Sequence, residues 1–431
     1  MKTFKFSTLA AAVVAASAAS ISAAQAEGFI EDSTGKLSIR NYYFNENGKN
    51  GDLKDRREWV QGFRFDFVSG YLFDTIGFDY SAGAAFKLDN PADNTKYNEK
   101  YSATNLPVDS EGNDVNNIAG TTQAYVKAKF GGENLNVNGK YGLMQQGTET
   151  FGTSGSRVLP SSIFGTYAEG NVYGVKLYGA RFTETSPRHQ SYFSKDLENG
   201  SGEEIDQLDI IGAGYELNNG LGFVVEHGKS DDYIKKRFAK VYYTVDLGND
   251  MSLDLDARYG KAEENGDKFD KFSGANAYKN DDYESRYYNA TATLNVGGAS
   301  FGVGYNQTKD GDWHSGYFDQ DHGTFNSSLS LYSNDFANEG EKAWVVNASY
   351  DFANAGVPGL TAGVSYGYGD GIERANDSDD KEREFAQEVT YKFQDGPLKD
   401  LSVQWQHWNY SGHQTDEDSH RIKLIYDIAL F

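Results

Sequence analysis

The stretch from Glu384 to Phe431 restricts the fold of this chain of 431 residues more than any other part of it. Val389, Tyr391 and Phe393 fall on every second position, interleaved with Glu388, Thr390 and Lys392. Leu401, Val403 and Trp405 repeat the pattern among Ser402, Gln404 and Gln406. Ile422, Leu424, Tyr426, Ile428 and Leu430 repeat it again before the chain stops at Phe431. A period of two marks strands with one apolar and one polar face, whereas a helix needs 3.6. A short connection, Gln394 to Asp400 with Gly396-Pro397, joins the first two runs; a longer polar one, Ser411 to Ser419, joins the second and third. Short turns alternating with long polar loops between two-faced strands are the pattern of an all-β, transmembrane antiparallel β-barrel.

Composition supports that reading. Only 38% of residues are hydrophobic and the mean hydropathy is -0.65, too little for a thick two-layer core. The 30 tyrosines and 27 phenylalanines argue against disorder, which is poor in aromatics. A wall with one face to lipid and one to water satisfies both numbers, while a soluble sandwich would need its apolar faces to meet. Residues 1–26 read as a signal peptide: Lys2 and Lys5, an Ala/Val-rich run from Leu9 to Ala24, and the small-x-small site Ala24-Gln25-Ala26. The barrel domain is therefore expected over 27–431, exported through the periplasm to the outer membrane of a Gram-negative cell. No other run approaches the roughly 20 apolar residues of a membrane helix. Cysteine is absent, so no disulfide framework is expected. A net charge of -23 argues against nucleic acid as a partner. It suits loops facing lipopolysaccharide and divalent cations, and equally a merely solvated acidic surface.

The same grammar runs through the rest of the chain. Leu37, Ile39, Asn41 and Tyr43 alternate with Ser38, Arg40 and Tyr42 before a charged loop expected from Glu46 to Glu58. Trp59, Phe63, Phe65 and Phe67 lead to a short turn at Gly70, and Ile76 to Phe86 climbs back. A long polar loop rich in Asn and Asp follows over 88–119. Tight turns at Gly131-Gly132, Gly248-Asn249-Asp250 and Gly297-Gly298 sit between further alternating pairs, as hairpins require. Tyr259, Tyr288, Tyr305 and Tyr350 near strand ends match an interfacial girdle. Nineteen segments alternate, yet termini on one side demand an even number. The short connection Asp351 to Gly359 belongs on the periplasmic side, so the strand before it descends. The weak segment Phe325 to Tyr332 then falls within one long extracellular loop, roughly 309–342, leaving eighteen strands.

One loop differs in kind. Met144 to Ile163 combines Gly147, Gly152, Gly155, Arg157 and Pro160 with Phe151, Val158 and Leu159, and has few acids. It is apolar enough to fold into the lumen, and a barrel of eighteen strands needs such narrowing to select solutes. No enzyme motif is legible, and neither a cofactor nor a metal is expected. The seven histidines lack paired helical metal spacing. The pair His314-Ser315 lacks the polar partner of a hydrolase, and Asp319-x-Asp321-x-Gly323 lacks the closing Glu of a calcium loop. Inward charges such as Arg40, Arg64, Lys127, Lys140, Asp79 and Asp256 are individually tolerated by a wet lumen; as a set they describe a conducting one.

The chain resembles the OprD family of substrate-selective outer-membrane porins. The resemblance rests on Gly28-Phe-Ile-Glu-Asp-Ser33, Arg40-Asn-Tyr-Tyr-Phe44, Glu58-Trp-Val-Gln-Gly62, Arg157-Val-Leu-Pro160, Tyr350-Asp-Phe-Ala353, Gly356-Val-Pro-Gly359 and Gly396-Pro-Leu-Lys-Asp-Leu-Ser402. It implies a monomeric eighteen-stranded barrel narrowed by an infolded third loop, with a ladder of basic side chains facing acids; the expected assembly is a monomer or a loose trimer. Arg157 stands where the family places a basic residue on that loop, and Arg421 where another heads the last strand. Asp319 and Asp321 lie in the loop that supplies acids in relatives. Gln404 and Gln406 depart from the arginine pair common in the family, and Ser365 replaces an expected basic residue. Phe431 resembles the aromatic terminus read by the barrel-assembly machinery, with Ala429 where a tyrosine is usual.

The expected pore-lining set is thus Arg40, Arg64, Lys140, Arg157, Ser365, Gln404, Gln406 and Arg421, with Asp319 and Asp321 as an acidic loop patch. The expected function is passive, selective diffusion of small hydrophilic solutes. Amides together with lumen tyrosines (Tyr42, Tyr125, Tyr242) point first to neutral oligosaccharides such as chito-oligosaccharides. Small carboxylates or amino acids are the alternative, and a barrel adhesin or receptor acting through its loops is the second.

Overall fold

The computed structural model describes residues 28–49, 54–89, 103–270, 283–320, 329–374, 377–412 and 415–431. The expected signal peptide, Asp321 and Phe325 lie outside them. Strands in chain order are β1 (Thr34–Gly48), β2 (Arg56–Val68), β3 (Ile76–Asp89), β4 (Ile118–Gly131), β5 (Leu135–Met144), β6 (Ser162–Val172) and β7 (Val175–Ser186). Two short ones, β8 (Lys195–Glu198) and β9 (Glu204–Ile205), precede β10 (Leu208–Glu216), β11 (Gly222–Ser230), β12 (Ile234–Gly248) and β13 (Met251–Glu264). The series closes with β14 (Glu284–Val296), β15 (Ala299–Lys309), β16 (Lys342–Asp351), β17 (Leu360–Arg374), β18 (Asp377–Lys392), β19 (Leu401–Ser411) and β20 (Asp416–Ala429).

All neighbours pair antiparallel, β7 pairs with β10, and β20 pairs with β1 from Ala429↔Lys36 to Glu417↔Gly48. Since β8 and β9 form only a side hairpin in the β7–β10 loop, the ring has eighteen strands. Closure leaves the ring itself without a sheet edge, the condition for a strand-built membrane span. At the rim the chain ends meet: Gly35 N–H donates to Phe431 O (3.1 Å) and Leu430 N–H to Gly35 O (2.8 Å). Phe301 and Val346, 53% and 51% exposed, belong to the outward face, while Ser38, Asn306 and Glu384 face in and are buried. The Asn249-Asp250 hairpin has both residues at positive φ (54° and 58°), the geometry that twists with its flanking strands.

The strands reach further than their apolar alternation. β1 runs on to Gly48, where a loop was expected from Glu46, and β20 begins at Asp416, inside the connection expected to end at Ser419. Above the lipid both faces of a wall meet polar surroundings, so the backbone ladder continues after the hydropathy period has faded. Leu329 to Tyr332, the described part of the segment assigned to a loop on parity, contains no strand.

The core lies between the wall and loops folded inside it. Tyr42, Phe44, Val60 and Ile118 pack with Leu106, Val158 and Leu159 from two loops. Phe151, Phe182, Ile210, Tyr287, Trp313 and Tyr317 belong to a second cluster, and Leu329, Phe336, Ala343 and Val345 to a third. Three loops therefore fold into the lumen, through 103–117, 145–161 and, among the described residues of the third, 310–320 and 329–341, where only the second was expected to do so.

Candidate functional site

The loop from 145 to 161 crosses the barrel. At one end Val158 and Leu159 dock on the inner faces of β2 and β3 at Gly62 and Gly83. A Cβ on Gly62 would clash with Val158 Cγ2, and one on Gly83 would stand 2.6 Å from Leu159 Cδ2. At the other end Thr148, Glu149 and Thr150 bond to Glu226 on β11. β2 and β11 are the second and ninth members of an eighteen-strand ring, so the loop bridges nearly opposite walls. Glu149 also pairs with Lys240 Nζ on β12 (2.6 Å).

Each infolded loop is held by a buried glutamate of the wall. Glu58 accepts the backbone N–H of Asn105 (3.0 Å) and the Asn105 side-chain amide (3.0 Å). Asn105 in turn accepts Val158 N–H (3.0 Å), so the first loop clamps the tip of the second. Glu226 accepts N–H groups from Glu149 (2.8 Å) and Thr150 (2.7 Å), and the Tyr178 hydroxyl (2.6 Å). Glu384 accepts N–H groups from Tyr332 (2.8 Å) and Ser333 (3.1 Å) in the third loop. A carboxylate offers about four lone-pair sites, so one side chain satisfies several loop donors that would otherwise be buried unpaired. Thr150 Oγ1 and Tyr317 OH, 2.6 Å apart, link the second and third loops.

A row of cations descends the wall of β20, β1 and β2. Pairing sets Arg421 beside Phe44, Lys423 beside Tyr42, Gly62 beside Arg40, and Arg64 beside Ser38. These levels are two residues apart, roughly 6.7 Å each, so the row extends about 20 Å. Arg421 bonds Glu46 Oε1 (2.6 Å), with Arg56 on the same carboxylate, and lies over Trp408 and Phe44. Arg64 pairs with Asp66 (2.7 Å) and donates to Gln145 Oε1 (2.9 Å). Arg40, Arg157 and Lys423 have no carboxylate within 4 Å among the described residues. Arg40 Nη1 reaches Val158 O (3.5 Å), Lys423 Nζ stands over Tyr42 (5.5 Å), and Arg157 donates to Thr104 and Ser156 hydroxyls over the Phe44 ring. Burial first, then the guanidiniums of Arg421 and Arg188, pull the Arg157 pKa down to about 9, which leaves it charged at pH 7.

The other expected residues are more scattered. Lys140, on β5, stands over Tyr125 and Tyr167 away from the row. Gln406 is 5% exposed and gives its amide to Glu388 (2.6 Å) and Tyr332 OH (3.1 Å) beneath the third loop. Gln404 is half-buried, with a long bond to Thr390 Oγ1 (3.4 Å). Ser365 lines a cavity with Tyr332, Asn347 and Glu388. Asp319 is exposed, its N–H bonded to Glu198 O at the side hairpin. His314 bonds the Tyr233 hydroxyl (2.9 Å) and Lys236 Nζ donates to Ser315 O (2.5 Å), so this pair helps to seat the third loop. Missed were Lys423, which alternation already turned inward between Ile422 and Leu424, and the three anchoring glutamates. Their signal was an acid on the inward face with no basic neighbour across the strand.

Comparison with known proteins agrees with this architecture. The model of the outer membrane porin, OprD family, matches residues 27–430. Porin D of Pseudomonas aeruginosa is 29% identical over an alignment of 465 positions covering all of both chains. The chitoporin of Escherichia coli is 25% identical, with 96% of this chain and 93% of that one covered. The crystal structure of Pseudomonas aeruginosa OpdK with vanillate superposes with a TM-score of 0.77 at 25% identity, covering 93% of this chain and all of that one. Its eighteen-strand ring, its loop bridging the lumen and this match over nearly its whole length place the chain in the OprD family of outer-membrane porins.

Proposed function

We propose that this porin favours small anionic solutes, carboxylates first, drawn along the row Arg421, Lys423, Arg40 and Arg64. The observation that carries the reading is the trio Arg40, Arg157 and Lys423, three cations converging at the tip of the bridging loop without a carboxylate partner among the described residues. Although Arg157 and Lys423 are largely covered, their charge acts through a poorly screened interior and lowers the energy of an anion passing the tip. The relative solved with vanillate, a carboxylate, fits the same reading. Neutral oligosaccharides are the second reading, supported by the half-buried amide of Gln404 and by the relative named chitoporin. Gln406 contributes little to it, because its amide is already bonded beneath a loop.

Liposome swelling with carboxylates and sugars of matched size tests the choice. Carboxylates should enter faster, and Arg40→Gln/Lys423→Gln should slow them severalfold while leaving sugar entry nearly unchanged. Faster sugar entry that Gln404→Ala abolishes would favour the second reading instead.

A further inference from the structure

The outer face of the barrel carries a cluster that the lumen does not explain. On β19 the outward residues are Trp405, His407 and Asn409; on β20 they are Asp418, His420 and Ile422. Register places His407 directly opposite His420, and Asn409 opposite Asp418. The two imidazoles stack with centroids 4.4 Å apart and planes 23° apart, while His407 Nε2 lies 3.1 Å from Asp418 Oδ1. One ligand atom from each of His407, Asp418 and His420 lies within 4.8 Å of the others. All three side chains are half-buried. Trp405 stacks beneath both rings, at 6.0 and 6.3 Å. Tryptophan marks the membrane–water interface, so the histidines sit one pair higher, at head-group level on the extracellular side.

We propose that His407, His420 and Asp418 form an outward-facing site for a first-row transition-metal dication, with Zn2+ as its representative. Two imidazoles and one carboxylate are an N/O set suited to Zn2+ and its neighbours, whereas Ca2+ and Mg2+ take oxygen ligands almost alone. The carboxylate is divided for this purpose: Oδ2 is held by Lys49 Nζ at 3.0 Å, and Oδ1 is turned to His407. A metal on His407 Nε2 requires the ring proton on Nδ1. Gln387, whose amide lies 3.0 Å from Nδ1, accepts it once its oxygen is turned inward, and so acts as a positioning residue. Three protein ligands leave a fourth coordination position that water or a phosphate oxygen would take. Sequence spacing hides the site, because its ligands come from two strands and meet only through their register.

The test is Zn2+ titration by calorimetry of the tag-free barrel, stripped with chelator, in detergent. One equivalent should bind, and His407→Ala and His420→Ala should each weaken binding at least tenfold. Gln387→Ala should weaken it less, and excess Ca2+ should not compete. A His407→Ala/His420→Ala barrel that binds Zn2+ like its parent would overturn the proposal, as would displacement of Zn2+ by equal Ca2+. Co2+ loaded on the unmutated barrel gives a readout independent of variant folding. Strong visible bands of low-symmetry Co2+ bound through imidazole support the site, and the pale spectrum of the hydrated ion rejects it.

Discussion

Val158 occupies the space that any side chain at position 62 would need, so the tip of the bridging loop is seated by the missing Cβ of Gly62. Gly62→Val should therefore unseat the tip while leaving the β1–β2 ladder intact. Overpacking of this kind costs typically ~1–3 kcal/mol, enough to loosen a loop without unfolding a barrel. Single-channel conductance in a planar bilayer should rise or become noisy. A quiet channel of parental conductance would refute the docking argument.

The far end of the loop depends on Glu226. Glu226→Ala leaves the N–H groups of Glu149 and Thr150 without their partner, at about 1–3 kcal/mol each. Limited proteolysis should then cut within 145–161, and deletion of residues 148–156 should raise conductance markedly in a folded barrel. Unchanged conductance in that deletion would mean that the constriction lies elsewhere.

Leu255 and Asp256 are sequence neighbours on opposite faces of β13. Leu255 is 38% exposed on the outside, while Asp256 pairs with Arg258 (2.6 Å) inside. Leu255→Arg should destabilise the barrel by roughly 2–4 kcal/mol near the bilayer midplane. Asp256→Arg should chiefly shift ion selectivity toward anions. Folding in lipid vesicles and reversal potentials measure the two effects, and equal folding defects would contradict the register.

Docking of the third loop should depend on pH. Burial, and then the Glu382 carboxylate, push the Glu341 pKa from its usual 4.5 up to about 9. The docked loop thus holds a proton that the undocked loop releases, so docking is strongest below pH 4.5 and weakens as pH rises toward 9. Proteolysis within 310–341 should accelerate between pH 6 and 9.5. Glu341→Gln, neutral at every pH, should flatten that dependence; an identical profile in the variant would exclude Glu341 as its source.

The barrel itself was determined by the sequence. Alternation in runs such as Ile422 to Leu430, tight turns such as Gly248-Asn249-Asp250 and the parity of strands joined by short turns are local signals, and they fix eighteen antiparallel strands and the face each residue presents. The inward orientation of Arg40, Arg64 and Arg421 follows from the same period. Tertiary structure alone decided what those faces meet. Whether an inward glutamate lines water or grips a loop depends on a partner about 45 to 75 residues away, as with Glu58 and Asn105 or Glu226 and Thr150. Gln406 is inward as alternation requires, yet the third loop covers it. Lys423 joins the cation row, and His407 meets His420, only because register sets residues of different strands side by side. Hydropathy is a property of one strand; register and loop docking belong to pairs of distant segments, and a single sequence carries no periodic trace of them.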